Sequence, residues 1–394
     1  MPEGPELKLA SIFVNRVMGH VGKGLTGGKA AHAAGGAGSG TSGRAKTGRA
    51  KGAAQRLVVD VTISEGHKSG PVALPSPPCT LEAMSRGKEL MLTLASQAKR
   101  GADKLHLLLR FGMSGQFVLQ RADGDGEGPG GLRKHSHLNF HLDDGNVLSF
   151  VDMRKFGSWR VVDDADSWEP SRSPCILGEY HAWRRALLQR YRAESERKSG
   201  ICSRPLCESM FEQELWNGVG NYLRAEALYV AGVAPFSRPM SVLDALADED
   251  AGWRGDGTDS RDGIDGDILR AVNLLGWEVV NLEGGGYAVL GGKDHSAFED
   301  WLQVYFKDGA YKAKDGKGRT MWWRGEAGPL FRGSKSKHVV KPAAVKKEAS
   351  VEKPVKKARS QASGVTKRST RASVKTEPAD EEAYRLMHSK RSKR

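Results

Sequence analysis

Pro2 and Glu3 carry the sharpest chemical signal in this 394-residue chain. A small residue at position 2 favours removal of Met1, which would leave proline as a free terminal amine. An α-amine has a pKa of about 8, against about 10.4 for lysine, so near neutral pH it is far more often uncharged and nucleophilic. As a secondary amine, proline condenses with an aldehyde to a cationic iminium, an electron sink that needs no further proton. Glu3 beside it can shuttle protons. Read alone, a Met-Pro start followed by a solvated glutamate is ordinary, so these two residues do not decide the function by themselves.

Other residues suit the grip of an anion. Arg86-Gly87-Lys88-Glu89 precedes a strand-like run, and Lys88 could reach a phosphate or an opened sugar. Gly218-Val219-Gly220-Asn221-Tyr222 is a glycine-rich turn opening a helix, where unpaired N–H groups and the positive dipole end suit a phosphate. Gly318-Arg319-Thr320 places a guanidinium at a hairpin tip, and guanidinium grips phosphate bidentately. Met113, in Arg110–Gly115, and Phe156, in Arg154-Lys155-Phe156-Gly157, sit in tight turns. Proteins that distort duplex DNA insert such side chains between bases, although Met and Phe are equally common in cores.

These residues need a scaffold. Leu7, Ala10, Phe13, Val14 and Val17 fall at helical spacing behind Pro5, which predicts an amphipathic helix with Glu6 at its positive end. Strand-like runs follow at 57–63, 89–94, 106–111, 116–120, 137–142, 146–151 and 158–162. Leu138, Phe140 and Leu142 alternate with His137, Asn139 and His141, so one face is buried. Asp143-Asp144-Gly145 is a hairpin turn signal. Short strands divided by turns predict a β-sandwich. From about residue 166 the pattern becomes helical, at 180–191, 205–215 and 222–230. Residues 244–267 read as an exposed Asp/Gly loop whose spacing is wrong for calcium. Residues 303–323 read as a strand, a Gly/Lys turn and a second strand. The expected class is α+β, divided into 2–165, 166–331 and a tail at 332–394.

Composition bounds the function. Hydrophobic residues make up 39% of the chain, enough for a core, and Lys plus Arg outnumber Asp plus Glu by 61 to 47. No apolar run approaches the roughly 18 residues of a membrane helix, so no membrane span is expected. No secretory leader is expected either, because the start is acidic and its apolar stretch is short and amphipathic. Four scattered cysteines argue against a disulfide framework and for a reducing compartment. The charge is uneven: residues 332–394 hold 19 basic and 6 acidic side chains, and residues 22–56 hold 7 basic and no acidic ones. Neither segment has apolar periodicity, and both are expected to be disordered. Lys356, Lys357, Arg359, Lys367 and Arg368 form spaced basic clusters that suit nuclear targeting and nonspecific nucleic-acid contact.

The order of the motifs says more than any one of them. Met1-Pro2-Glu3-Gly4-Pro5-Glu6-Leu7, Arg86-Gly87-Lys88-Glu89-Leu90, Arg110–Gly115, Phe150–Gly157, Asn217–Glu226 and Gly318-Arg319-Thr320 together resemble the Fpg/Nei family of DNA glycosylases, in particular its eukaryotic endonuclease VIII-like 1 type. The resemblance implies an N-terminal helix with a β-sandwich, a helix–two-turn–helix domain and a C-terminal finger hairpin, with damaged DNA in the cleft between them. Pro2 would be the nucleophile at C1′ and Glu3 the general acid/base. Lys88, counted with these two among the catalytic residues, would hold the lesion's phosphates together with Asn221 and Arg319. Met113, Arg154 and Phe156 would fill the gap left by the flipped base.

The implied activity is a bifunctional glycosylase/AP lyase for oxidised bases, chiefly pyrimidines. An oxidised-purine enzyme and a noncatalytic DNA-binding protein on the same fold are the alternatives. No cofactor is implied. Residues 303–331 contain no cysteine or histidine, so the hairpin would be a zincless finger packed through Trp322, Trp323 and Leu330. The resemblance implies a basic residue in the loop Glu283–Tyr287, where this chain has Gly285, a departure that bears on base preference. A nuclear monomer is expected, with repair-protein contacts through the tail. Deleting 332–394 is expected to lower nonspecific DNA affinity and flatten its salt dependence, since counterion release scales with cationic contacts. An unchanged slope of log K against log salt would refute this.

Overall fold

The computed structural model describes residues 2–20, 55–98, 103–124, 126–197, 200–282 and 295–338. The glycine-rich insert apart from its last two residues, the loop carrying Gly285, and the tail beyond residue 338 lie outside the described residues.

Helix α1 (Gly4–Val17) begins as its sequence predicts. Pro5 stands in the first turn, and Glu3 and Glu6 form a reciprocal capping box. The Glu3 amide donates to Glu6 Oε2 at 2.8 Å. Leu7, Ala10, Val14 and Val17 are buried against the sheet. That sheet contains β1 (Val58–Ile63), β2 (Cys79–Arg86), β3 (Glu89–Ser96), β4 (Lys104–Arg110), β5 (Gln116–Arg121), β6 (Ser136–Leu142), β7 (Asn146–Val151) and β8 (Ser158–Val162). Its order is β5-β7-β6-β1-β2-β3-β4-β8, antiparallel throughout.

One pair, Val58 with Cys79, joins β1 to β2, and there the sheet folds over itself. Phe150 of β7 and Trp159 of β8 lie almost at opposite ends of the order, yet their ring centroids are 6.4 Å apart. Phe111, Phe117 and Phe150 cluster between the same layers. The β-sandwich is this folded sheet, its inner faces buried against each other. Strand β2 escaped the sequence reading. Cys79, Leu81 and Ala83 face inward, but exposed Met84 breaks the alternation.

The helical part contains α2 (Tyr180–Glu196), α3 (Gly200–Ser203), α4 (Leu206–Ser209), α5 (Asn221–Val230), α6 (Met240–Leu243), α7 (Ile268–Asn281) and α8 (Ser296–Trp301). The helix read at 205–215 shrinks to α4, after which turns carry the chain on. Helix α7 was missed, although its cap is legible: the Asp267 carboxylate accepts from Leu269 and Arg270 N–H. The 244–267 segment is less exposed than expected. Trp253 and Ile264 are buried, and Asp250 pairs with Arg270 at 2.6 Å. The Asp256 and Asp259 carboxylates are taken up by their own turn.

The final hairpin is β9 (Tyr311–Lys314) and β10 (Thr320–Trp323), starting later than the sequence reading placed it. A two-residue β11 (Ser336–Lys337) pairs with β9, so the first residues of the presumed tail belong to this sheet. Trp322 packs on Phe306 and Trp323 on Phe236 and Phe331. Arg224 of α5 meets Asp315 at 2.9 Å, both side chains fully buried, and so ties the hairpin turn to the helices. Among the described residues no helix is long and apolar enough to cross a membrane.

Arg224→Leu should strand the buried Asp315 carboxylate and destabilise the protein by about 3–5 kcal/mol, read by denaturant unfolding. A loss under 1 kcal/mol would show that the pair does not fasten the hairpin.

Candidate active site

The start of α1 and the start of α5 face each other. The glycine-rich turn 218–220 allows this approach. The Gly4 amide donates to the Gly218 carbonyl at 2.8 Å, and a Cβ on Gly220 would lie 2.2 Å from Glu3 Cδ. The Glu3 carboxylate therefore seats on the open end of α5. It accepts from the N–H groups of Gly220 (2.9 Å), Tyr222 (3.0 Å) and Leu223 (3.2 Å). These are the unpaired donors that every helix N-terminus presents. Pro2 is buried immediately beside this seat.

Burial sets the protonation of the group. It pushes the Glu3 carboxyl up to about 7, against the attraction of Lys88 and the hydrogen bond from Tyr222. Burial also lowers the Lys88 ammonium to about 8, with Glu3 pulling the other way and Arg172 and Arg319 adding to the fall. A carboxyl near 7 can both take and give a proton at neutral pH. Behind it, Glu6 is buried, raised by that burial, and accepts from the Tyr222 hydroxyl at 3.0 Å. Glu6 was read from sequence only as a helix-dipole residue. Its partner lies more than 200 residues away.

Lys88 is half-buried in the β2–β3 turn. Gly87 has φ 58°, and a Cβ there would lie 1.8 Å from Asn217 Oδ1, so glycine lets the turn close on the 217–220 segment. Asn221 opens α5, and its Oδ1 accepts from Arg224 Nη2 at 2.7 Å. Arg319 is exposed at the β9–β10 tip, its amide held by Asp315 at 2.8 Å. Pro2, Glu3, Lys88, Asn221 and Arg319 thus gather where α1, the β2–β3 turn, α5 and the hairpin meet.

Met113, Arg154 and Phe156 form a second cluster. Their two turns, after β4 and after β7, are locked together by Asp152, a residue the sequence reading did not single out. Its buried carboxylate accepts from the Ser114 hydroxyl and from the N–H groups of Arg154 (3.2 Å) and Gly157 (2.6 Å). Phe156 is 52% exposed and Met113 half-buried, so the core role falls to Phe111 instead. The Arg154 guanidinium lies 5.1 Å from the Phe156 ring centre. Buried Glu89, next to Lys88, pairs with Arg110 (2.8 Å) and Arg172 (3.3 Å) and so joins the two clusters. Among the described residues no group of three or more His, Cys, Asp or Glu side chains could hold a metal.

Solved structures share this architecture. The LlFpg protein of Lactococcus lactis, crystallised with a THF-DNA and an inhibitor, matches 82% of this chain and 98% of its own, with TM-score 0.51 and 20% identity. MutM (Fpg) of Thermus thermophilus matches 82% and 97%, also with TM-score 0.51 and 20% identity. The fold is therefore that of the Fpg-type DNA glycosylases.

Residues 79–159 match the formamidopyrimidine-DNA glycosylase N-terminal domain, and residues 294–332 match the DNA-binding region of endonuclease VIII-like 1. Endonuclease 8-like 1 of Mus musculus is 34% identical over 84% of this chain and 74% of its own length. The Homo sapiens protein of that name is 33% identical over 86% and 76%. Formamidopyrimidine-DNA glycosylase of Nocardia farcinica is 34% identical over 38% of this chain and 49% of its own. The chain belongs to the Fpg/Nei family, on its endonuclease 8-like 1 side, and is a DNA glycosylase and AP lyase of base excision repair.

The elevated Glu3 has a signature in stability. Folded Glu3 keeps its proton up to about pH 7, whereas the unfolded group releases it near 4.5. Its stabilising contribution is complete below about pH 4.5 and is lost as pH rises through 7. Relative to Glu3→Gln, the wild-type protein should lose up to about 2–3 kcal/mol between pH 5 and 8. A pH-independent difference between the two unfolding curves would contradict the assignment.

Proposed function

We propose that the chain removes oxidised bases from DNA, chiefly pyrimidines, and nicks the strand through a Schiff base on Pro2. The observation that carries this reading is the Glu3 carboxyl, held by three backbone N–H groups beside Pro2 and raised to about 7. The Pro2 nitrogen attacks C1′ of the damaged nucleotide as the N-glycosidic bond breaks, and the base departs with a proton. Opening of the sugar ring leaves the iminium. Glu3 moves protons to and from the ring oxygen, a role that its titration near neutrality suits. A base takes a C2′ proton, the electron pair enters the iminium to give an enamine, and its return breaks the C3′–O bond and expels the 3′ phosphate; δ-elimination then expels the 5′ phosphate.

Lys88, Asn221 and Arg319 hold the phosphates around the lesion. A base within a duplex is inaccessible and must be extruded, at a cost of a few kcal/mol. Met113, Arg154 and Phe156 fill the space it leaves, a use that exposed Phe156 and its rigid turn favour. DNA lies between a catalytic domain at 2–165 and a helical domain with its finger at 166–331. The preference for pyrimidines is the substrate class that the motif resemblance implies. The protein acts as a monomer in the nucleus, with the basic tail adding DNA and repair-protein contacts.

Borohydride trapping tests the mechanism. Untagged protein, with Met1 removal confirmed by mass, is mixed with duplexes bearing an abasic site, an oxidised pyrimidine or 8-oxoguanine. A covalent adduct on Pro2, strongest with the pyrimidine lesion among the two bases, is expected. Pro2→Gly keeps an amine, but a primary one whose imine must gain a proton, so trapping and nicking should fall at least tenfold with DNA affinity retained. An adduct on another residue would sink the Pro2 role, and a stronger 8-oxoguanine adduct would reverse the base preference.

A further inference from the structure

Phe211 lies one residue beyond the helical cap Met210 of α4, at a place where the sequence reading saw only a helix. Three cations surround its half-buried ring. The guanidinium carbons of Arg224 and Arg319 each stand 4.1 Å from the ring centre, and Lys88 Nζ stands 5.9 Å away. Arg224 is already committed, to Asp315, the Cys207 carbonyl and Asn221. Arg319 is not: among the described residues no carboxylate takes its guanidinium, and Gly318 beside it has φ 77° in an exposed turn. A long side chain on such a tip samples many rotamers unless something holds it. The Phe211 ring is what Arg319 touches.

The ring and the tip are also fixed relative to each other. Glu208, three residues before Phe211, accepts from the Gly316 amide at 2.8 Å, while Asp315 accepts from the Arg319 amide at 2.8 Å and from Arg224 at 2.9 Å. Phe211 is itself braced, its amide on the Glu208 carbonyl and its carbonyl accepting from Gln213 Nε2 at 3.1 Å. The electron-rich face of an aromatic ring attracts a guanidinium and also lets two cations approach a common site.

We propose that Phe211 is a positioning residue that orients the Arg319 guanidinium for a DNA phosphodiester. This rests on the reading of Arg319 as a phosphate clamp. Phe211 touches no substrate and acts through Arg319, so its removal disperses the clamp and leaves the chemical step intact.

The test uses the full chain and an abasic-site duplex, with cleavage rates and thermal unfolding measured on each variant. Phe211→Leu should raise KM about fivefold, the scale of one cation–π contact, and leave kcat within about twofold. Phe211→Trp should restore KM. In an Arg319→Ala background Phe211→Leu should add less than about twofold. Site-specific fluorinated phenylalanines at 211 keep the ring's shape and drain its electron density, so KM should climb with each fluorine. A flat fluorine series, or full additivity with Arg319→Ala, overturns the role of Phe211. The Arg319→Ala variant separates the two claims. If it raises KM while the Phe211 series stays flat, the clamp stands and the positioning role falls. If it leaves KM unchanged, the clamp reading itself falls, and the role of Phe211 falls with it.

Discussion

A carboxylate on a helix N-terminus organises this protein. Glu3 caps its own helix and at the same time seats on the start of α5, so two positive helix ends converge on one side chain. Two opposing effects act there. Three N–H donors and the helix dipoles favour the anion, and each such hydrogen bond lowers a carboxyl pKa. Removal from water favours the neutral acid. Burial wins by enough to bring the group to about 7. The same contact that joins the sandwich to the helices therefore tunes the carboxyl beside Pro2. A mutation that loosened the α1–α5 junction would change both stability and protonation.

The finger hairpin meets a different constraint, because its turn must stay fixed next to that seat. Buried Arg224 and Asp315 supply a short, fully desolvated pair, and Arg224 also satisfies Asn221 and the Cys207 carbonyl. Burying such a pair costs several kcal/mol per ion before the attraction is counted, so its geometry and extra hydrogen bonds decide whether it holds. Trp322 and Trp323 supply the apolar half of the anchorage. One guanidinium thus connects a helix-opening asparagine to the turn that carries Arg319.

The turns of Met113 and Phe156 follow the same economy of anchoring. Asp152 gathers Ser114, Arg154 and Gly157, and Gly112 at φ 61° lets the two turns touch. A Cβ at 112 would lie 2.6 Å from the Gly157 nitrogen. Phe156 can then stand half in water without collapsing onto the core.

Local chemistry and ordered motifs were legible in the residues alone. The glycine turn before Asn221, the alternation of 137–142 and the start of α1 all follow from residue type and short-range spacing. So did the family, because several spaced motifs in fixed order are far more specific than any one of them. Strand β2 and helix α7 were missed where apolar periodicity was interrupted or went unread. Tertiary structure alone decided which residues meet. Glu3 binds Gly220 across 217 positions, and Arg224 binds Asp315 across 91. It also decided that Asp152 ties two turns together, that three cations gather round Phe211, and that burial pushes the Glu3 carboxyl up to about 7. The reason is physical: burial and long-range pairing are properties of the packed chain, and no local spacing encodes how far a carboxylate will be removed from water.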